Sequence, residues 1–113
     1  MKAIGPYSPY VRKGGFIFVS GQLGIDEEGR IAGDIEKQTR KAIENLIAVV
    51  EEAGGSTEKI VKVTVYLKDI ADFNIMNKVY SEYFVKNPPA RTTVGVASLP
   101  KEALVELDAV VKV

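Results

Sequence analysis

Two charged residues stand out in the run PARTTVGVASLPKEALVELDA, residues 89–109. Arg91 follows two prolines and heads the alternation Thr93, Val94, Gly95, Val96, while Glu106 sits between Val105 and Leu107 in a strand-like run. A guanidinium is a permanently charged planar fork that can grip a carboxylate through two parallel hydrogen bonds. A carboxyl group set among apolar neighbours can orient and deprotonate a water molecule. Read alone, Arg91 serves equally well as a solvated strand end, and Glu106 as the outward residue of an alternating run.

The rest of the inventory narrows the chemistry. The 113 residues contain no cysteine and no histidine, which excludes a disulfide framework, a Cys/His zinc site, a Ser-His-Asp triad and a Cys-His pair. No Gly-rich loop ends in Gly-Lys-Ser/Thr, and GQLGIDEEG carries its glycines at spacings unlike a dinucleotide motif. An enzyme built from this chain works with Arg, Lys, carboxylates, Tyr, Ser, Thr, Asn, Gln, backbone groups and water. No metal or cofactor is expected. Fifteen basic and fifteen acidic residues are interleaved, so neither a nucleic acid nor a membrane surface is an expected partner. No apolar run approaches the roughly 20 residues of a membrane span, and MKAIGPYSP lacks a signal-peptide core. The expectation is a cytoplasmic protein of one domain, residues 1–113.

The elements that must position these residues are legible. YVRKGGFIFVSG reads as a hairpin turning at Lys13-Gly14-Gly15. Asp26 to Gly29 closes a second, exposed reversal. From the N-cap Asp34, apolar residues recur at helical steps from Ile35 to Ala53, and Gly54-Gly55 supply a stop. In VKVTVYL the residues Val61, Val63, Val65 and Leu67 share one strand face. Phe73, Met76, Tyr80, Tyr83 and Phe84 share a helical face, in a helix ended by Pro88-Pro89. TTVGVAS and ALVELDAVVKV make two more strands around the reversal at Leu99 to Glu102.

The order β-β-α-β-α-β-β predicts an α+β fold, a two-layer sandwich of one mixed β-sheet with two helices on one face. Val105, Leu107, Ala109, Val111 and Val113 point to one side of the last strand, yet Leu104 and Val110 on the other side are also apolar. A second copy of the chain is the expected cover for that open face. With the last two strands paired as a hairpin, Glu106 falls opposite Gly95, with space for a cavity beside the carboxyl group, and Arg91 lies about 13 Å away. Direct pairing of the two charges within one subunit is not favoured.

Several segments carry a resemblance. AIGPYSP, VSGQLGID, GDIEKQTRKAIENLIAVVEEAGGS, IVKVTVYLKDIADFNIMNKVYSEYF and PARTTVGVASLPKEALVELDAV occur in this order over nearly the whole chain. Together they resemble the Rid family, the reactive intermediate deaminases of YjgF type. The most specific pieces are Ile4-Gly5-Pro6-Tyr7, Ser20-Gly21-Gln22, Pro89-Ala90-Arg91, Leu99-Pro100 and Val105-Glu106. The resemblance implies a chorismate-mutase-like fold, a homotrimer with pockets at its interfaces, and hydrolysis of 2-imino acids or their enamine tautomers to 2-keto acids and ammonia. It also implies that Arg91 holds the substrate carboxylate, that Glu106 positions water, and that Tyr7, Ser20 and Asn77 line the pocket. Thr93 stands where many bacterial relatives have cysteine, so thiol-dependent behaviour is expected to be absent. The segment before Ile4 is shorter than in typical members, so the edge of the pocket near Tyr7 is expected to be less covered.

This activity suits the inventory, because an imine is already electrophilic and needs neither a side-chain nucleophile nor a metal. The rival from another class is a non-enzymatic trimer, regulatory or chaperone-like, that holds a small carboxylate. Glu106 discriminates between them, since a sensor gains nothing from a carboxylate beside its anionic ligand. Without the resemblance, Tyr7 reads as a packed loop aromatic, and Ser20 and Asn77 as capping or surface residues.

Overall fold

A computed structural model describes residues 5–113; Ile4, the first residue of the Ile4-Gly5-Pro6-Tyr7 motif, and the segment before it lie outside them. Strands β1 (Tyr10–Lys13) and β2 (Phe16–Leu23) form the expected hairpin. Gly14 and Gly15 turn it at φ of 61° and 81°, a region open to glycine at no steric cost. Helix α1 (Ile35–Glu52) begins where Asp34 accepts the Lys37 N–H, and the chain leaves it at Gly54 with φ 89°. Strand β3 (Ile60–Leu67), helix α2 (Phe73–Tyr83), strand β4 (Ala90–Gly95) and strand β5 (Val105–Lys112) follow. Among the described residues no helix is long and apolar enough to cross a membrane.

The sheet runs in the order β1-β2-β5-β3-β4. β4 is parallel to β3, and β5 lies antiparallel between β2 and β3. The expected β4–β5 hairpin is therefore not formed. The reversal at Leu99 to Glu102 is instead part of a crossing that carries the chain from the sheet edge past β3 to its centre. β5 claims the middle because Val105, Leu107, Ala109 and Val111, all buried, supply an apolar stripe that both neighbours can share. Both helices cover this stripe, with Ile43, Leu46, Val50, Met76 and Val79 meeting Val63, Val65 and Leu107 in one core. The two-layer α+β architecture thus stands as expected.

Three local expectations differ. The β3–β5 register slips between Ile60 and Lys62, a bulge that turns Val61 outward and places Ile60 in the core. Val113 lies beyond the end of β5 and is exposed. Helix α2 stops at Tyr83, ahead of the proline pair, because Phe84 leaves helical geometry to stack its ring on Tyr80 at 4.4 Å. On the uncovered side of the sheet, Phe18 is 47% exposed beside its strand partners Val11 and Val110.

Candidate active site

Arg91 enters the helix side of the sheet from its edge. Its strand partner is Val63, which is paired in turn with Ala109, and both belong to the core beneath the helices. Directly paired residues share a face. The guanidinium carbon lies 4.7 Å from the centre of the Tyr80 ring and 5.6 Å from that of Phe73, while Nη1 approaches Met76 Sδ at 3.9 Å. Positions 73, 76 and 80 face one way because they follow helical steps. The ring faces attract the cation without consuming its N–H donors. Among the described residues no carboxylate pairs with Arg91. The result is a half-buried cation anchored by aromatic faces, its donors unclaimed by any anion.

Unpartnered oxygens accompany it. Thr93 stands two residues further on the same face of β4, and Asn77 follows Met76 on α2. Thr93 Oγ1, Asn77 Oδ1 and the Tyr80 hydroxyl are all shielded from solvent without a hydrogen-bond partner among the described residues. Each such group costs about 1–3 kcal/mol when left unsatisfied. Burial pushes the Tyr80 phenol up to about 12, although the charge of Arg91 acts in the opposite direction. This hydroxyl therefore stays protonated at neutral pH.

Glu106 belongs to the other face. It is paired with Tyr66 on β3, and the alternation of β5 sends its side chain away from buried Val105 and Leu107. Between β2 and β5 the register slips, so that Val19 faces Ala109 but Gln22 faces Leu107. The extra residue makes a bulge at Ser20-Gly21. The Glu106 carboxyl group rests directly against Gly21, where an added Cβ would lie 2.8 Å from its Cδ and 3.2 Å from its Cγ. Burial pushes the Glu106 carboxyl upward from its ordinary value, and the charge of Asp108 pushes the same way.

Ser20 and Tyr7 are linked to this half through the backbone. The Ser20 hydroxyl donates to the Ser8 carbonyl at 2.6 Å, and the Ser20 N–H donates to the Pro9 carbonyl at 3.0 Å. Ser20 thus fastens the segment that carries exposed Tyr7 onto β2. Gly95 is not opposite Glu106, because it pairs with Leu67 and a Cβ there would meet Ile70. The space reasoned for Gly95 is supplied by Gly21.

The five expected site residues fall into two groups. Arg91 and Asn77 belong to the β4–α2 side, whereas Glu106, Ser20 and the Tyr7 segment belong to the open side. Two strand spacings and three residue steps separate Arg91 from Glu106, about 14 Å between backbones, with the sheet itself between their side chains.

A family model described as Endoribonuclease L-PSP matches residues 1–113. A RutC family protein of Pyrococcus abyssi is 56% identical over 111 residues, covering 96% of this chain and 87% of the relative. The crystal structure of RidA from an Antarctic Psychrobacter superposes with a TM-score of 0.96 at 37% identity, over 99% of this chain and 92% of that one. The chain belongs to the Rid family. Escherichia coli TdcF with bound serine is similar to this Rid protein at a TM-score of 0.93 and 38% identity, covering 98% and 91% of the two chains. These likenesses establish the chorismate-mutase-like α+β fold. Rid membership also supports the general class of imine or enamine deaminase.

Sequence reasoning missed two parts of the Rid site. Gly21 carried a signal, since a glycine inside a strand pattern marks a bulge or a close approach. Phe73, Met76 and Tyr80 were read only as core, and their second task of seating Arg91 has no sequence signature apart from their helical spacing.

Proposed function

We propose that this chain, as one Rid-like domain over residues 1–113, is a cytoplasmic hydrolase that converts 2-iminobutanoate, 2-iminopropanoate and their enamine tautomers to 2-keto acids and ammonia. The observation that carries the reading is the division of the site. Among the described residues, Arg91 presents a seated cation without an anion on one side of the sheet, and Glu106 presents a half-buried carboxyl without a hydrogen-bond donor on the other. Neither half is sufficient, so the pocket is completed when a second copy brings its open face to the β4–α2 edge. The exposed apolar residues Phe18 and Val11 on that face favour such packing, in a closed homotrimer.

In that pocket Arg91 clamps the substrate carboxylate and fixes the imine carbon. Asn77 Oδ1 is an acceptor for the imine N–H, and Tyr7 and Ser20 border the opposite wall. The imine reacts protonated on nitrogen: Glu106 takes a proton from water as the water oxygen bonds to the imine carbon and the carbon–nitrogen π pair moves to nitrogen, giving a neutral carbinolamine. Glu106 then gives its proton to the amino nitrogen and takes the hydroxyl proton as the carbon–nitrogen bond breaks, so that ammonia leaves and the keto acid remains. The upward displacement of the Glu106 carboxyl suits both directions of proton transfer. Serine bound to TdcF supports a site for a small carboxylate-bearing metabolite. The endoribonuclease description of the family draws no support from this chain, which has no histidine and zero net charge.

The test measures release of keto acid and ammonia from freshly generated imino acids. Wild type is expected to exceed spontaneous hydrolysis, and Arg91→Ala and Glu106→Gln each to abolish the excess. Co-assembled Arg91→Ala and Glu106→Gln chains should regain about a quarter of the wild-type sites, because random mixing rebuilds an intact pair at that frequency. Wild type without acceleration refutes the reaction; mixed chains without recovery refute the shared pocket. Activity retained by Glu106→Gln would refute the role of that carboxyl group, and tight carboxylate binding by a wild type that gives no acceleration would favour a non-enzymatic sensor.

A further inference from the structure

Glu106 is not the only carboxyl group on its face of β5. Asp108 stands two residues further on, about 7 Å along the strand and pointing the same way. Tyr66 on β3 is the direct partner of Glu106, yet its hydroxyl reaches diagonally to donate to Asp108 Oδ2 at 2.9 Å. One carboxyl of the pair is therefore fastened by a phenol. The other, Glu106, accepts no hydrogen bond among the described residues.

We propose that Asp108, pinned by the Tyr66 hydroxyl, is a positioning residue that acts through its charge on Glu106, keeping that carboxyl a ready proton carrier. The proposal rests on the reading of Glu106 as the water-handling group. Among the described residues of one chain no other charge acts on Glu106, and the Arg91 that a second copy brings on the shared-pocket reading is common to all the variants compared below. On β2 its register partner is Leu23 and its carboxyl group rests against Gly21, neither of which carries a charge, and β4 offers Thr92 and Val94 on this face. On β3 the next charge is Lys62, whose ammonium group is engaged by Thr92 Oγ1 at 2.7 Å. Lys112 lies at the far end of β5 over the Phe16 ring, Lys13 at the far end of β1, and Tyr7 in the segment before β1.

Mutual repulsion of two carboxylates favours a proton on the one with no donor. Burial acts first and Asp108 second on Glu106, both upward. The Tyr66 phenol is also pushed upward, by burial and then by Asp108 and Glu106, so it remains a hydrogen-bond donor at neutral pH. A group that must accept a proton from water and return it to departing ammonia works best when its pKa lies nearer the working pH. Asp108 moves Glu106 in that direction without touching the substrate.

The test compares wild type, Asp108→Asn and Tyr66→Phe by carbon-13 titration of the Glu106 carboxyl, assigned by its loss in Glu106→Gln, and by the pH profile of kcat/KM. Removing a charge about 7 Å away is expected to lower the Glu106 midpoint by about half a pH unit. The acid limb of kcat/KM should follow, giving about a threefold gain below the wild-type midpoint. Tyr66→Phe keeps the charge and should leave the midpoint at or above wild type. Asp108→Ser removes the same charge should Asp108→Asn fail to assemble. An unmoved Glu106 midpoint in the assembled charge-removal variant overturns the proposal, as does an equal downward shift in Tyr66→Phe. The titration needs no turnover, so absence of imine hydrolysis in wild type would refute the deaminase reading while the midpoints still decide the coupling.

Discussion

Replacing Gly21 by alanine inserts one methyl group between the β2 bulge and the Glu106 carboxyl group, the proposed proton carrier. The added carbon would lie 2.8 Å from Glu106 Cδ and 3.2 Å from Cγ, against a comfortable carbon–carbon separation of about 3.5–4.0 Å. The carboxyl group must therefore retreat by about 1 Å. Gly21 is not in the left-handed region, so alanine suffers no backbone penalty there. The obstructing atoms belong to a half-buried side chain that can swing outward, so the stability cost should fall below the 1–3 kcal/mol typical of overpacked cores. Catalysis is less tolerant, since a displacement of about 1 Å at a reacting group costs on the order of 100-fold, or about 2.7 kcal/mol of transition-state stabilisation. We expect Gly21→Ala to fold and assemble with a Tm close to wild type while kcat for imine hydrolysis falls about 100-fold. Pairing it with Glu106→Asp, which withdraws the carboxyl by roughly 1.5 Å, should cost far less than the product of the two single losses. Wild-type kcat in Gly21→Ala would refute the assignment of the Gly21 contact as the seat of the catalytic carboxyl.

Three further predictions concern the same two half-sites. Because burial raises the Glu106 carboxyl in the folded state, folding favours its protonated form; the resulting cost is absent below the unfolded pKa and complete above the folded one. Thermal denaturation of Glu106→Gln should accordingly show a higher Tm than wild type at pH 7, with the advantage vanishing as pH falls into the ordinary glutamate range. Tyr80→Phe removes a buried hydroxyl with no partner but keeps the ring beneath Arg91, so Tm should be unchanged or raised by an amount equivalent to about 1 kcal/mol with KM unaffected; Tyr80→Leu should raise KM severalfold by unseating the guanidinium, and equal KM values in the two variants would contradict the cradle. Ser20→Ala loses the hydrogen bond to Ser8, worth about 1 kcal/mol, and should raise KM about fivefold with little change in kcat, accompanied by faster hydrogen exchange around Tyr7.

Local chemistry was readable in this chain wherever a few adjacent residues decide the outcome. Gly14-Gly15 required a hairpin, Asp34 and Gly54 bracketed α1, and the alternation in β5 placed Leu107 inward and Glu106 outward. Pairing between distant segments was not readable. A proline-marked reversal between two strand-like runs reads as a hairpin, and nothing near Leu99 to Glu102 shows that β3 already occupies the place beside β4. The bulge in β3 is equally silent, because the extra residue at Val61 looks like any other valine in an alternating run. The candidate site residues Arg91 and Glu106 stand out as charges out of pattern, sharpened by the family likeness. That they face opposite ways emerged only from the register, which turns on strand order and thus on the whole fold.

On the shared-pocket reading, the opposition of Arg91 and Glu106 across the sheet makes a competent centre a property of concentration. No rotamer of either side chain can pass through a β-sheet, so an isolated chain carries a clamp with nothing to react beside it and a proton carrier with nothing to serve. On the shared-pocket reading, turnover per chain should collapse on dilution below the assembly constant even while each chain stays folded. A newly made chain would likewise be dormant until it met its copies, and an interface lesion far from both charges would silence the enzyme as completely as losing one of them.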